Sequence, residues 1–124
     1  MEAQMALVVD PRGDWVIRQR QPGEGPENDV EVQILVSLSA LSPDGTGTFQ
    51  GGAKWDGRQG ELDGSVNGNR IEFTITWPTG MKGEYRGYWY SDGYLRGHTV
   101  NVFNPAETAE WWTATNNFRQ IQPD

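Results

Sequence analysis

A five-residue pattern occurs four times in the chain: a glycine, any residue, a large apolar residue, any residue and a second glycine. The copies cover residues 47–51, 60–64, 83–87 and 93–97. Because residues two apart in a strand share a face, both glycines and the apolar residue of each copy point the same way. Glycine inside a strand marks a bend, a bulge or the close approach of another backbone. The repetition therefore predicts a small sheet that bends repeatedly and closes on itself.

Turn signals divide the chain into eight segments with the alternation typical of strands. The predicted strands cover residues 13–19, 30–40, 46–55, 61–66, 70–77, 84–90, 94–103 and 110–121. The alternation is clearest over residues 30–40, where every second residue up to Ala40 is apolar. Short connections between consecutive strands favour an antiparallel up-and-down meander. We therefore expect an all-β fold with a single eight-stranded antiparallel barrel, and a β-sandwich is the alternative.

Length and composition limit the remaining possibilities. The 124 residues fit one domain, residues 1–124, in which 1–12 form an N-terminal extension and 122–124 a tail. The net charge of −7 argues against nucleic acid and acidic membrane surfaces as partners. No cysteine and a single histidine leave no expected metal site and no expected cofactor. The start of the chain has no basic region and only a short apolar run, so we expect a cytoplasmic protein.

Four short motifs carry a family resemblance. Gly-Asp-Trp at residues 13–15 matches the Gly-x-Trp that opens calycin barrels, including lipocalins and avidins. Residues 71–77, 84–88 and 112–115 resemble strands of the avidin and streptavidin family in particular. This resemblance covers about residues 13–121 and implies the topology of a calycin-like eight-stranded barrel.

The chain departs from avidins where those proteins hold biotin. Ile17 stands where avidins carry an asparagine, and residues 53–55 are Ala-Lys-Trp where avidins carry Tyr-x-Ser. A buried polar ligand group without its partner costs about 1–3 kcal/mol. We therefore expect that the chain does not bind biotin.

Aromatic residues are the main candidates for a binding site. Core packing explains most aromatic residues on an inward face, but an aromatic-walled pocket with a few polar groups is the usual form of a small-molecule site. Two asparagines share the inferred inward parity and could orient a ligand. The candidate ligand-binding residues are Phe49, Trp55, Phe73, Trp77, Tyr85, Trp89, Asn101, Trp112 and Asn116.

The opposite face carries a different set of residues. Parity places His98, Arg86 and Arg96 on the outside, where cross-strand pairing explains the charges. A bulge could reverse this alternation of inward and outward residues. Arg86, Arg96 and Glu84 would then point inward and form a candidate catalytic or anion-binding group. Tyr88 belongs to an unusually apolar outer surface, which predicts a homo-oligomer, either a dimer or a tetramer.

Three functions fit this pattern. The first is binding of a small, largely apolar or aromatic organic molecule in the barrel. The second is an enzyme of natural-product biosynthesis, a cofactor-independent cyclase or isomerase that acts through shape and proximity. The third is a protein-interaction module that uses the aromatic outer wall. A cavity would support the first two, whereas a filled barrel would leave the third.

Overall fold

The computed structural model describes residues 8–42, 45–114 and 119–121. Most of this part of the chain is strand, and it contains no helix of the length and apolarity needed to cross a membrane. One turn of 3-10 helix, Pro26–Asn28, lies between the segments 13–19 and 30–40 that were predicted as strands. The strands are β1 (Val8–Asp10), β2 (Gly13–Arg20), β3 (Val30–Leu41), β4 (Thr46–Trp55), β5 (Arg58–Asn67), β6 (Arg70–Thr76), β7 (Lys82–Trp89), β8 (Leu95–Asn101), β9 (Asn104–Thr113) and β10 (Arg119–Ile121).

Strands β2 to β9 form a closed antiparallel barrel in which each strand pairs with its neighbour in sequence. Closure comes from β9, which returns to β2 and pairs Thr113 with Ile17 and Glu110 with Arg20. Strands β1 and β10 form a separate two-stranded sheet. The predicted eight-stranded barrel is therefore confirmed.

Aromatic side chains fill the middle of the barrel. Phe73 is stacked on Tyr85 with ring centres 4.7 Å apart. It meets the edges of Trp15 at 5.9 Å and Trp111 at 5.5 Å. Edge-to-face and stacked pairs of this kind add about 0.5–1.5 kcal/mol each to the burial of the rings. Near the start of β2, the Nε1 of Trp15 donates to the carbonyl oxygen of Pro11 at 2.9 Å, which fixes the indole at this end of the barrel.

Inward-facing glycines occur where neighbouring backbones come too close for a side chain. A Cβ at Gly97 would overlap the carbonyl oxygen of Arg86, and a Cβ at Gly51 would overlap that of Leu35. The glycine pattern therefore marks close backbone approach, as predicted from the sequence.

The end of the chain differs from the prediction. Residues 104–106 were expected to break the preceding strand, but Asn104 begins β9 after a turn at Val102 and Phe103. The register passes from Val100 opposite Thr108 to Asn101 opposite Asn104, so residues 105–107 have no partner on β8. Proline lacks a backbone N–H, and this unpaired stretch accommodates it. The predicted final strand at 110–121 is also wrong, because β9 ends at Thr113 and β10 pairs with β1.

Two predicted side-chain orientations are wrong. Trp112 was placed inside the barrel, but Trp111 occupies the interior at 1% exposure and Trp112 lies on the outer wall. Inward-facing Gly87 makes room for this arrangement, since a Cβ there would lie 2.7 Å from the Trp111 ring. Ala40 is exposed rather than inward, because the ladder between β3 and β4 shifts register after Val36. One such irregularity reverses every side chain that follows it.

Candidate ligand-binding site

A cavity of about 260 Å³ lies at the end of the barrel where β2, β4, β6 and β8 finish. The aromatic cluster around Phe73 fills the middle of the barrel beneath it. The residues that define it are Gln19, Val30, Trp55, Trp77, Tyr85 and Thr99.

Two tryptophans form the aromatic wall of this cavity. Trp55 ends β4 and Trp77 follows β6, and their rings meet edge-on with centres 6.3 Å apart. The turn after β6 is held by the Trp77 N–H, which donates to the Met81 carbonyl at 2.8 Å. Outside the cavity, the Arg58 guanidinium lies 5.3 Å from the Trp55 ring centre. Both indoles are half-buried, so each offers an apolar face at the cavity mouth.

The floor of the cavity is polar at one point. The Tyr85 hydroxyl donates to the Oε1 of Gln19, and the Tyr85 ring rests on Phe73 below. Burial raises the pKa of Tyr85 to about 12, against the opposing effect of a hydrogen bond with Thr99. Thr99 itself donates from Oγ1 to the carbonyl oxygen of Glu84 at 2.7 Å. The phenol therefore stays neutral at physiological pH and can donate or accept a hydrogen bond.

The rim of the cavity is charged and locally hydrogen-bonded. Asn101 donates from Nδ2 to the Oε1 of Glu107 at 2.9 Å, and its Oδ1 accepts the Phe103 N–H at 3.0 Å. Lys82 lies on the same rim. These bonds connect β8 to the turn that follows it and to the unpaired stretch of β9.

Four predicted ligand-binding residues come together at this cavity: Trp55, Trp77, Tyr85 and Asn101. Three others, Phe49, Phe73 and Trp89, are buried in the core and do not line it. Trp112 faces outward, and Asn116 lies outside the described residues. Contact of a ligand with any of them stays a prediction.

Sequence reasoning missed Gln19, although a signal was present. Trp15, Ile17 and Gln19 alternate along β2, so the third inward residue of the first barrel strand is polar. Glutamine on an inward face is informative because a buried amide needs a partner. Val30 and Lys82 were also missed, and their places at strand starts left no such signal.

Larger concavities lie on the outer wall. One of about 770 Å³ runs along β2 to β5 over Gly52, and another of about 660 Å³ lies over Gly87 and Gly97. The cavity of about 260 Å³ is the better candidate for a small-molecule site, because tryptophans form its wall and a buried polar group forms its floor.

Comparisons with known proteins agree on the fold. A redesigned β-barrel, mFAP1, bound to DFHBI, superposes with a TM-score of 0.54 at 13% identity, covering 82% of this chain and 92% of that chain. A second redesigned β-barrel gives a TM-score of 0.53 at 17% identity, covering 89% of this chain and 91% of that chain. At these identities the likeness establishes the fold alone. No protein-family model matches the chain, and no curated protein matches it.

Proposed function

We propose that this barrel binds a small, largely apolar or aromatic organic molecule in the cavity at the end where β2, β4, β6 and β8 finish. The observation that carries the proposal is the cavity between Trp55 and Trp77 with the Tyr85 hydroxyl at its floor. Small-molecule sites take this form, with apolar walls and a few polar groups that fix orientation. The volume of about 260 Å³ is close to the lower limit of about 300 Å³ for such sites, so the ligand is small.

The chemistry of the floor narrows the ligand class. The Tyr85 hydroxyl donates to Gln19 Oε1, so the donor that this pair offers to an uncharged acceptor such as a carbonyl oxygen is the Gln19 Nε2. A charged group without a counter-ion would be costly at this depth. The expected ligand is therefore a flat aromatic or conjugated molecule that carries a carbonyl at the inner end.

Biotin fits this environment poorly. Ile17 and Ala53 are buried and apolar at the positions where avidins carry polar ligand contacts. The similarity to avidins rests on short sequence motifs, and we propose no relationship beyond shared barrel topology.

Ligand-observed NMR with a panel of small aromatic carbonyl compounds tests the proposal. DFHBI belongs in the panel because a similar barrel is bound to it. Trp77→Ala is expected to weaken binding at least about tenfold, as loss of a central aromatic contact does elsewhere. Lys54→Glu, on the outer face of β4, is the matched control and should leave affinity unchanged. The proposal fails if no compound binds, or if hits bind equally well to Trp77→Ala.

A cofactor-independent cyclase or isomerase is the second candidate, and the neutral Tyr85 hydroxyl favours it. If this hydroxyl turned from Gln19 Oε1 to a substrate carbonyl, its hydrogen bond would polarise that carbonyl as charge develops on the oxygen. Tyr85→Phe separates the two functions. In a binding protein the substitution lowers affinity, whereas in an enzyme it abolishes conversion of a conjugated carbonyl substrate that still binds.

The remaining parts of the proposal concern partners and location. The net charge of −7 supports neither nucleic acid nor anionic membranes as partners. We propose a cytoplasmic homo-oligomer. An interaction module is the further alternative, since exposed aromatic residues such as Tyr88 and Tyr90 lie outside the barrel.

A further inference from the structure

Arginines and outward-facing aromatic residues gather on one side of the barrel. We call this surface, formed by β6 to β9 and β2, the arginine wall. Strands β3 to β5 carry no outward-facing aromatic residue within their described side chains. The residues that define the arginine wall are Arg18, Arg20, Arg70, Arg86, Arg96, Tyr88 and Trp112.

One row of the wall has an ordered sequence of charges. Cross-strand register aligns one outward residue from each strand in turn: Glu72, Arg86, His98, Glu110 and Arg20. On one side of His98 the row continues with the cation Arg86 and then the anion Glu72. On the other side it continues with the anion Glu110 and then the cation Arg20. The row therefore has opposite signs at equal distances from its centre.

A row with this symmetry is complementary to a second copy of itself. When two such walls meet about a two-fold axis that runs along β8 through His98, Arg86 faces Glu110 of the partner subunit. Glu72 and Arg20 lie two strands from β8 on opposite sides, a quarter of the way round the eight-stranded barrel, so they lie outside this contact. A two-fold interface uses the same patch on both subunits, so every such contact occurs twice.

The next row supplies apolar contact. Its outward residues are Arg70, Tyr88, Arg96, Trp112 and Arg18. About the same axis, Tyr88 faces Trp112 of the partner subunit, and aromatic residues of this kind are enriched at interface centres. Arg96 lies on the axis, where its ion pair with Asp92 neutralises it.

Like charges at the ends of this row are neutralised within each chain. Arg70 and Arg18 likewise lie a quarter of the way round the barrel from β8, away from the partner subunit. Arg70 pairs with Glu72 at 3.0 Å, and Arg18 pairs with Glu31 at 3.3 Å. The groove of about 660 Å³ over Gly87 and Gly97 adds a recess beside these rows that can receive an aromatic ring.

A free anion is a poorer occupant of this surface than another protein. The five arginines of the wall each have a carboxylate within 4 Å on their own chain: Glu31, Asp29, Glu72, Glu84 and Asp92. The surface is thus a mixed pattern of charges and rings rather than a pool of positive charge. Only a partner with the complementary pattern fits it, and the wall itself has that pattern.

We propose that the arginine wall pairs with the arginine wall of a second copy of this chain to form a two-fold dimer. The contact uses the side of the barrel, so it leaves the cavity at the end of the barrel accessible. The dimer is therefore independent of the proposed ligand, and either proposal can fail without the other.

Charge reversal measured by sedimentation velocity over a range of concentrations tests the dimer. The full-length wild type is expected to dimerise. Arg86→Glu and Glu110→Arg are each expected to raise the dimer Kd at least about tenfold, because each places two like-charged pairs in the interface. An equimolar mixture of the two variants should form heterodimers, since both contacts then join opposite charges. The double variant should dimerise with itself for the same reason.

Two controls keep the result specific. Lys54→Glu and Glu61→Arg reverse outward charges on the far wall, and they should leave the Kd unchanged. Far-ultraviolet circular dichroism reports whether each variant is folded, and the double variant serves if a single one is not. A monomeric wild type overturns the proposal, and so do single variants that still dimerise. If the single variants are monomeric and their mixture forms no heterodimer, the pairing of Arg86 with Glu110 of the partner subunit is wrong.

Discussion

At the scale of single residues, Tyr85 joins the core to the cavity. Its ring is part of the aromatic cluster, whereas its hydroxyl lies at the floor of the site beside Gln19. The same burial that makes the ring a structural element keeps the hydroxyl protonated, because a phenolate would lose its hydration there. Stability and ligand recognition therefore depend on the protonation of one group.

Alkaline pH should destabilise the protein through Tyr85. Its pKa rises from 10.0 to about 12 on folding, so between these values the folded state holds a proton that the unfolded state has lost. The contribution is complete below pH 10.0 and declines as pH rises through the folded-state value. The full shift corresponds to about 2–3 kcal/mol. Urea unfolding across this range should show a steeper loss of stability in wild type than in Tyr85→Phe, and parallel curves would contradict the prediction.

At acidic pH, protonation of Asp29 should destabilise the folded protein. Its hydrogen bond from Arg20 lowers its pKa, with a smaller opposing effect of burial. A lowered folded-state pKa gives stability that is present above the unfolded value of 3.8 and is lost as pH falls through the folded-state value. Asp29→Asn should therefore flatten the acid limb of the stability profile. Thermal unfolding from neutral to acidic pH measures it, and an unchanged acid limb would exclude this ion pair as a contributor.

At the scale of strands, glycines determine how the sheet bends. Gly97→Ala should destabilise the barrel by about 3 kcal/mol, because its Cβ would overlap backbone atoms of Arg86 and Gly87 that cannot rotate away. Gly52→Ala is the matched control. Its Cβ would meet only the Gly60 carbonyl oxygen, at 3.5 Å, and the change should stay within about 0.5 kcal/mol. Chemical denaturation of both variants tests this contrast, and equal losses would show that backbone spacing is not the cause.

Strands were predictable where alternation was regular and unpredictable where the ladder was not. The limits of β4 match the sequence pattern, and β2 and β3 differ from it by one residue. The end of the barrel could not be predicted, because residues 105–107 pair with nothing on β8 and no local pattern records this. The pair Trp111 and Trp112 presents a similar difficulty. Its orientation depends on space left by Gly87, a residue more than twenty positions earlier.

The binding site was predictable in kind and only partly in composition. Inward aromatic residues on alternating strands indicated a pocket, and Trp55, Trp77 and Tyr85 do line one. Phe49 and Phe73 share the same parity but lie deeper, where they pack the core. The alternation of residues along a strand predicts whether a side chain points into the barrel or out of it. It does not predict how far along the barrel axis the side chain lies. Depth follows from the stagger between strands, which appears only in three dimensions.

At the scale of the whole molecule, closure should make unfolding cooperative. The barrel leaves no free edge among β2 to β9, and Trp15, Phe73 and Trp111 connect strands on opposite sides through one aromatic cluster. Loss of any one strand would expose this cluster. We expect thermal transitions followed by tryptophan fluorescence and by far-ultraviolet circular dichroism to coincide. Separate transitions would show that the barrel divides into independently unfolding parts.

The small sheet of β1 and β10 makes a circular permutation of the chain feasible. Val8 lies opposite Ile121, so the first and last described strands are adjacent, next to the end of the barrel that Pro11 and Trp15 occupy. A short peptide could join them, and the chain could be reopened at the Asn67-Gly68 turn without removing a barrel pairing. Such a permutation would thus change the order of the strands along the chain and keep their order around the barrel. A reporter domain attached at this junction would lie away from the cavity mouth and leave it free.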